Sequence, residues 1–175
     1  MKTPVLKTES FILRLMAPND APAIVKHANS RRVSRFMGRL PYPYTLRDAK
    51  DWIKRVGLEE RSKKRESFRF VIEKDGEAVG SIGLSKIQPG HKAILGYWLG
   101  EKYWGQGIVT EAVKVISAFA FKRLKLKKLS AEVFLPNIAS RRVLEKNGFK
   151  IEGILRKEIA KNGRLHDVYL LSKVR

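Results

Sequence analysis

Two glycines, Gly105 and Gly107, stand one residue apart in the stretch GEKYWGQGIVTEAV at positions 100–113, after an apolar run and before a helix-like run. The N–H groups in the first turn of a helix have no partners within the helix, and the peptide dipoles place partial positive charge there. Glycines let an anion approach that backbone without meeting a β-carbon. The spacing therefore predicts a cradle for a phosphate group, with an ordinary turn as the alternative.

Two familiar nucleotide folds do not fit this stretch. A dinucleotide-binding turn needs a third glycine at the position of Thr110, and a P-loop needs Gly-Lys-Ser/Thr where Gly107 is followed by Ile108. The sequence therefore indicates neither a dinucleotide-binding fold nor a P-loop fold, and it does not identify the anion.

The elements that carry this junction follow from the spacing of apolar residues. Apolar positions recur every three to four residues in 19–28, 44–57, 107–124 and 137–147, which predicts about four helices. Alternating or continuous apolar runs predict strands at 10–16, 67–74, 77–87, 91–100 and 128–135, and two more within 149–174 around a turn at 161–163. The order predicts one α/β domain over residues 1–175, with a mixed central sheet of about six to seven strands flanked by the helices.

Two segments of the chain resemble the motifs of a known family. KYWGQGIVTEA, with Lys102, Gly105 and Gly107, resembles motif A of the GCN5-related N-acetyltransferases, and NIASRRVLEKNGFKIEG at 137–153 is similar to motif B of that superfamily. Tyr-Trp-Gly-x-Gly together with Asn-x-x-Ser and Glu-Lys-x-Gly-Phe resembles the branch that acetylates protein N-termini, ribosomal-protein alanine acetyltransferases among them. The resemblance covers nearly the whole chain and implies a GNAT-like fold.

The resemblance also implies where acetyl-CoA lies, in the splay between the fourth and fifth predicted strands. The backbone of Trp98, Leu99 and Gly100 would pair with the pantetheine arm and hold the thioester. The pyrophosphate would meet the backbone N–H groups of Gln106, Gly107, Ile108, Val109 and Thr110, and the Thr110 hydroxyl, with Lys102 and Arg142 on the remaining phosphates. Asn137 would contact the amide of the cofactor, although a residue after Pro136 is also a good helix N-cap.

The catalytic groups are less clearly marked. Other members of the superfamily protonate the departing thiolate with a tyrosine seven residues after the motif B asparagine, and here that position holds Leu144. The resemblance implies that Ser140 contacts the cofactor and hydrogen-bonds or protonates its thiolate. The alternative is a polar residue in the first turn of a helix. The candidate bases are Glu158 and Asp167, and the strand at 91–100 carries no carboxylate.

The lack of an evident base bears on the acceptor. At neutral pH, deprotonation costs roughly 1 kcal/mol for an α-amine and about 4 to 5 kcal/mol for a lysine side chain. The sequence therefore favours direct attack by the N-terminal α-amine of a protein. A small-molecule amine acetyltransferase of the same fold is the first alternative, and a basic RNA- or ribosome-binding module without transferase activity is the second.

The charge of the chain points to an anionic partner. Its 37 basic and 17 acidic residues give a net charge of +20, which favours a polyanion such as RNA nearby, unless the surface is a thermally adapted one. The basic clusters are Arg31, Arg32, Arg35 and Arg39; Arg61, Lys63, Lys64 and Arg65; and Lys122, Arg123, Lys125, Lys127 and Lys128.

Several classes of site are excluded or not indicated. The chain has no cysteine, so disulfides, thiolate metal sites and cysteine nucleophiles are excluded, and His27, His91 and His166 lack metal-ligand spacing. No apolar run reaches the roughly 18 residues of a membrane helix, and the N-terminus lacks the apolar core of a signal peptide. The sequence predicts a soluble, cytoplasmic protein without a metal, either a monomer or a homodimer.

Overall fold

The alternating segments of the chain form eight strands of one sheet in the computed structural model, which describes residues 2–62 and 64–175. The strands are β1 (Leu6–Lys7), β2 (Ile12–Arg14), β3 (Phe68–Lys74), β4 (Glu77–Gln88), β5 (Lys92–Leu99), β6 (Lys128–Phe134), β7 (Lys150–Lys161) and β8 (Arg164–Val174). Their order in the sheet is β1-β2-β3-β4-β5-β6-β8-β7, and every neighbouring pair is antiparallel except β5 and β6. That one parallel pair requires a crossover connection.

Within the described residues, five helices flank the sheet, and one of them is the crossover. They are α1 (Ala21–Ala28), α2 (Arg31–Ser34), α3 (Leu46–Arg61), α4 (Ile108–Lys122) and α5 (Ile138–Lys146), with short 3-10 turns at Pro18–Asp20 and Glu101–Tyr103. The start of α3 is a capping box, in which Thr45 Oγ1 accepts from Asp48 N and Asp48 Oδ2 accepts from Thr45 N. α4 connects β5 to β6.

The predicted mixed α/β fold is confirmed, and its element counts need small corrections. The sheet has eight strands because the two residues of β1 pair with β2, Leu6 opposite Leu13. A fifth helix exists because Ser30 caps one turn, α2, in a segment predicted to be a basic loop. Elements of two and four residues are too short to show a period. Met1 and Lys63, the latter from the second basic cluster, lie outside the described residues.

The two faces of the sheet carry different helices. α4 packs on one face, here called the α4 face, where Leu95 and Leu99 of β5 join Ile116 of α4 in the larger core. α1 and α3 pack on the opposite face, the α1–α3 face, where Trp98 lies beside Trp52 with ring centroids 6.4 Å apart. Because successive side chains of a strand alternate, odd-numbered residues of β5 point to the α4 face and even-numbered ones to the α1–α3 face.

We expect the close contact between β4 and β5 to make the Gly80→Ala variant unstable. A β-carbon at Gly80 would lie 2.6 Å from the Trp98 carbonyl oxygen and 3.1 Å from Leu99 Cα, and backbone atoms cannot rotate away. The free energy of unfolding, measured by urea denaturation, should fall by about 1–3 kcal/mol. Gly96→Ala in β5 is the matched control, since its β-carbon would meet nothing within 4 Å. Equal stability of the two variants would contradict the expectation.

Candidate active site

A notch opens in the middle of the sheet, between β5 and β6. The two strands pair only at Lys92↔Lys128, Ala93↔Leu129 and Ile94↔Ser130. Beyond this point β5 stays paired with β4 as far as Leu99, and β6 stays paired with β8 as far as Phe134. Their facing edges therefore separate and keep backbone groups without a ladder partner. β5 and β6 are the fourth and fifth predicted strands, and the splay predicted between them is present.

The backbone groups on the β5 edge of the notch belong to Tyr97 and Leu99. Gly100 N donates to Val79 O at 2.9 Å, and Gly100 O accepts from Tyr103 N at 3.0 Å. Since backbone groups of successive strand residues turn to opposite edges, Trp98 also faces β4. Of the three residues predicted to offer backbone groups here, only Leu99 turns toward the notch. This is a correction for Trp98 and Gly100, because which residues of a strand face which edge depends on its pairing register.

The glycine junction lies at one end of the notch and is open. Gly105 and Gly107 have φ values of 75° and 77°, and a β-carbon on either would meet nothing within 4 Å. Gly107 is the N-cap of α4, no side chain caps the helix, and the Gly107 carbonyl accepts from Glu111 N. The N–H groups of Ile108, Val109 and Thr110 precede that bond and have no acceptor within the helix. The geometry fits the predicted anion cradle.

The predicted side-chain ligands of the phosphates lie on two elements next to α4, the 3-10 turn before it and α5. Lys102 is exposed in the 3-10 turn before the glycines, and Gln106 Nε2 donates to Lys102 O at 3.0 Å. Arg142 is exposed on α5. Asn147, at the end of α5, donates from Nδ2 to Thr110 O at 3.1 Å and to Val143 O at 2.9 Å. This amide, which sequence reasoning missed, joins the first turn of α4 to α5.

Ser140 lies at the notch, held from two sides. Asn137 Oδ1 accepts from Ser140 N at 3.2 Å, so the N-cap prediction for Asn137 is confirmed. Ser140 Oγ lies 2.8 Å from Tyr97 Oη, which links the first turn of α5 to the separated half of β5. Leu144, which stands at the position of the tyrosine that the family resemblance implies, is fully buried in the core. Its side chain has no polar group to offer.

Tyr97 is the functional candidate that sequence reasoning missed. Its odd number places it on the α4 face, where it packs against the main core, and burial raises the pKa of its hydroxyl to about 12. The phenol therefore stays protonated at neutral pH and can donate a hydrogen bond to Ser140 Oγ. A tyrosine in a strand is ordinary on its own, and only the placement of α5 brings Ser140 within reach.

The two carboxylates predicted as bases lie in the β7–β8 hairpin. Asp167 Oδ1 accepts from Lys157 N at 2.8 Å, so it stabilises an irregular turn of β7, where Lys157 has a φ of 53°. Glu158 is exposed, and no contact joins it to Ser140 or Tyr97 within residues 2–62 and 64–175. The role of Glu158 stays a prediction.

The histidines take part in packing and surface contacts. His27 is buried beside Tyr103, its Nε2 lies 3.2 Å from Glu77 Oε1, and burial lowers its pKa. His166 packs edge-on against Phe134, and His91 contacts Gln88 on the surface. In the described part of the chain, no group of three histidine and acidic side chains could hold a metal ion. Within the same part, no helix is long and apolar enough to span a membrane.

Comparison with known proteins identifies the family. The family model described as an acetyltransferase (GNAT) domain matches residues 10–150. The chain belongs to the GNAT acetyltransferase family. The uncharacterized N-acetyltransferase p20 of Bacillus licheniformis is 30% identical over 168 residues, which are 95% of this chain and 94% of that protein. This membership confirms the prediction of an acetyl-CoA-dependent N-acetyltransferase.

Two further GNAT relatives have names that mention an acceptor. The ribosomal-protein-serine acetyltransferase of Escherichia coli is 32% identical over 106 residues, covering 60% of this chain and 59% of that protein. The crystal structure of the ribosomal-protein-S5-alanine acetyltransferase from Vibrio fischeri superimposes with a TM-score of 0.85 at 26% identity, over 98% of this chain and 96% of that one. The fold and the family are thus shared with enzymes whose names refer to ribosomal proteins.

Proposed function

We propose that this GNAT protein transfers the acetyl group of acetyl-CoA to the N-terminal α-amine of a protein, with ribosomal proteins as the acceptor class. The observation that carries the proposal is the meeting of Ser140 and Tyr97 across the notch, 2.8 Å apart, beside the open N-terminus of α4. The names of the two ribosomal-protein relatives support the acceptor class.

The donor occupies the notch in this proposal. We assign its pyrophosphate to the first turn of α4, supported by the free N–H groups there and by the open space at Gly105 and Gly107. Partial positive charge at such a helix end contributes about 1 kcal/mol, and up to ~2 kcal/mol when the site is partly buried. Lys102 and Arg142 are assigned to the remaining phosphates, and the N–H of Leu99 to the arm that carries the thioester.

Gly107→Glu should abolish CoA binding, because the new side chain would fill the cradle and repel the pyrophosphate. The residue also has a positive φ, which by itself costs a non-glycine residue about 1–2 kcal/mol. Gly76→Glu separates the two effects, since Gly76 has the same φ of 77° and equally open surroundings in the β3–β4 turn. Isothermal titration with CoA should show binding to the Gly76 variant only. CoA binding by the Gly107 variant would refute the assignment.

Acetyl-CoA supplies an activated acetyl group and a thiol that leaves with the bonding electron pair. We assign Ser140 to donate a proton to that sulfur, and Tyr97 to donate a hydrogen bond to Ser140 Oγ. The raised pKa of Tyr97 keeps its phenol protonated, so that it can donate to Ser140 Oγ at 2.8 Å or to the Ser140 carbonyl oxygen at 3.3 Å. When the phenol donates to Oγ, the serine hydrogen is free to turn toward the notch. The N-cap bond from Asn137 fixes the backbone that carries Ser140.

Ser140→Ala should lower kcat by about 100-fold, within the range for loss of a general acid, without weakening CoA binding. Tyr97→Phe should lower kcat by about tenfold, the equivalent of one hydrogen bond between neutral groups. Ser117→Ala is a suitable control, because Ser117 is a buried serine of α4 whose hydroxyl has no partner in the described part of the chain. Steady-state kinetics measure all three, and an unchanged kcat for Ser140→Ala would remove Ser140 from the mechanism.

The acceptor approaches from the α1–α3 face in this proposal. There the β7–β8 hairpin is tied to the segment that follows α2, since Lys161 Nζ donates to Met37 O at 2.7 Å and to Leu40 O at 3.2 Å. Ile159 also packs against Gly38. These contacts hold the hairpin against the segment that follows α2.

Peptides with a free or a blocked N-terminus test the acceptor assignment. With acetyl-CoA, the protein should acetylate a lysine-free peptide with a free N-terminus, and should leave an N-blocked, lysine-containing peptide and spermidine unmodified. Product mass and CoA release report the reaction. Acetylation of the blocked peptide alone would overturn the N-terminal assignment, and a preference for spermidine would favour the small-amine alternative.

The proposed acceptor also sets where the protein works. Ribosomal proteins and acetyl-CoA meet in the cytoplasm, so we propose a cytoplasmic enzyme. The net charge of +20 supports proximity to ribosomal RNA while the acceptor is bound.

A further inference from the structure

One carboxylate projects from the separated half of β6, that of Glu132. Ile94 and Ser130 are aligned in the last parallel pair, and aligned residues of neighbouring strands point to the same face. Glu132, two residues beyond Ser130, therefore points to the same face as Gly96 and Trp98. That is the α1–α3 face, opposite the face where Tyr97 meets Ser140.

The surroundings of Glu132 leave it accessible. The residue level with it across the notch is Gly96, where even an added β-carbon would meet nothing within 4 Å. The next residue of β6 on this face, Phe134, is covered by Phe36 and His166, at ring-centroid distances of 6.2 Å and 5.4 Å. Glu132 itself is exposed. The aromatic rings of Phe134, Phe36 and His166 thus lie beside an exposed carboxylate.

Glu132 also forms no ion pair with a basic side chain of the described residues. Across residues 2–62 and 64–175, the only acidic side chains with neither an ion pair nor a hydrogen bond are Glu9, Glu132 and Glu158. Basic residues outnumber acidic ones by more than two to one in this chain, so an unpaired carboxylate is unusual here. Of the three, only Glu132 lies at the notch.

Few other charged groups face this part of the notch. The Lys128–Glu152 ion pair, with Ser172 donating to Glu152, occupies the paired end of β6 on this face. His166 of β8 lies beyond Phe134, and Arg35, after α2, stacks on Phe36. Nothing among them neutralises Glu132.

We propose that the Glu132 carboxylate binds the ammonium group of the acceptor and takes its first proton. This rests on the proposed function and supplies the base that the sequence left open. The nitrogen lone pair then forms the N–C bond while the C–S bond breaks, and the sulfur keeps the bonding pair and takes a proton from Ser140. The second nitrogen proton restores Ser140 through solvent, and Glu132 returns its proton to water. One proton is released for each amide formed.

Glu132→Gln tests this assignment with the full-length protein and a free-amine hexapeptide that begins with alanine. The variant should bind CoA as the wild type does and keep its melting temperature, because Glu132 has no partner to lose. Its kcat/KM at pH 7 should fall by about 100-fold. The deficit should shrink as pH rises toward the pKa of the peptide amine, about 7.7–8.0, since free amine then no longer needs a base. Glu132→Asp should recover part of the activity at pH 7.

Glu9→Gln is the matched control, because Glu9 is also an exposed carboxylate with neither an ion pair nor a hydrogen bond in the described part of the chain, and it lies between β1 and β2 at the edge of the sheet, away from the notch. This variant should leave the pH profile unchanged. Full activity of Glu132→Gln across the pH range overturns the inference, and so does a pH-dependent deficit that appears in Glu158→Gln instead. If the wild type acetylates neither this peptide nor any other amine, the proposed function itself fails and the inference falls with it.

Discussion

The parallel pairing of β5 with β6 ends after three residue pairs, and the site depends on that early end. Each strand keeps its other neighbour, so neither frays, and the sheet stays continuous around the gap. On the β5 edge, the gap exposes backbone groups of Tyr97 and the N–H of Leu99, while Leu99 O accepts from Trp104 Nε1 at 2.7 Å. The gap also connects the two faces of the sheet. A donor on the α4 face and an acceptor on the α1–α3 face can meet only where the sheet is open.

The glycines around this gap have different physical tasks. Gly80 lets β4 approach β5 so closely that a methyl group would strike backbone, which holds β5 on its β4 side. Gly96 leaves the gap wide, and Gly107 leaves the helix end uncovered with a left-handed backbone. Close packing against β4 therefore keeps β5 in place, although the other edge of the strand faces the open gap.

Local sequence patterns predicted much of the fold and part of the site. The period of α4 and the two glycines before it were readable because they depend on neighbours in the chain, and so was the cap at Asn137. The sequence did not predict roles for Tyr97, Asn147 and Glu132. Each role depends on a partner or a gap that is distant in the sequence, and the strand register and the docking of α5 on α4 determine where these lie. The strand register likewise determines that the backbone groups of Trp98 and Gly100 face β4. The short elements β1 and α2 contain too few residues to show any period.

The notch also bears on how such a sheet avoids association with other chains. Unpaired strand edges are templates for aggregation, and proteins cover, charge or shorten them. Here two such edges face one another within the sheet, since β5 and β6 are inner strands of the order β1-β2-β3-β4-β5-β6-β8-β7. A narrow, extended ligand can still enter the gap between them. The open edges of β5 and β6 therefore lie away from the outer edges of the sheet, where a strand of another chain could pair.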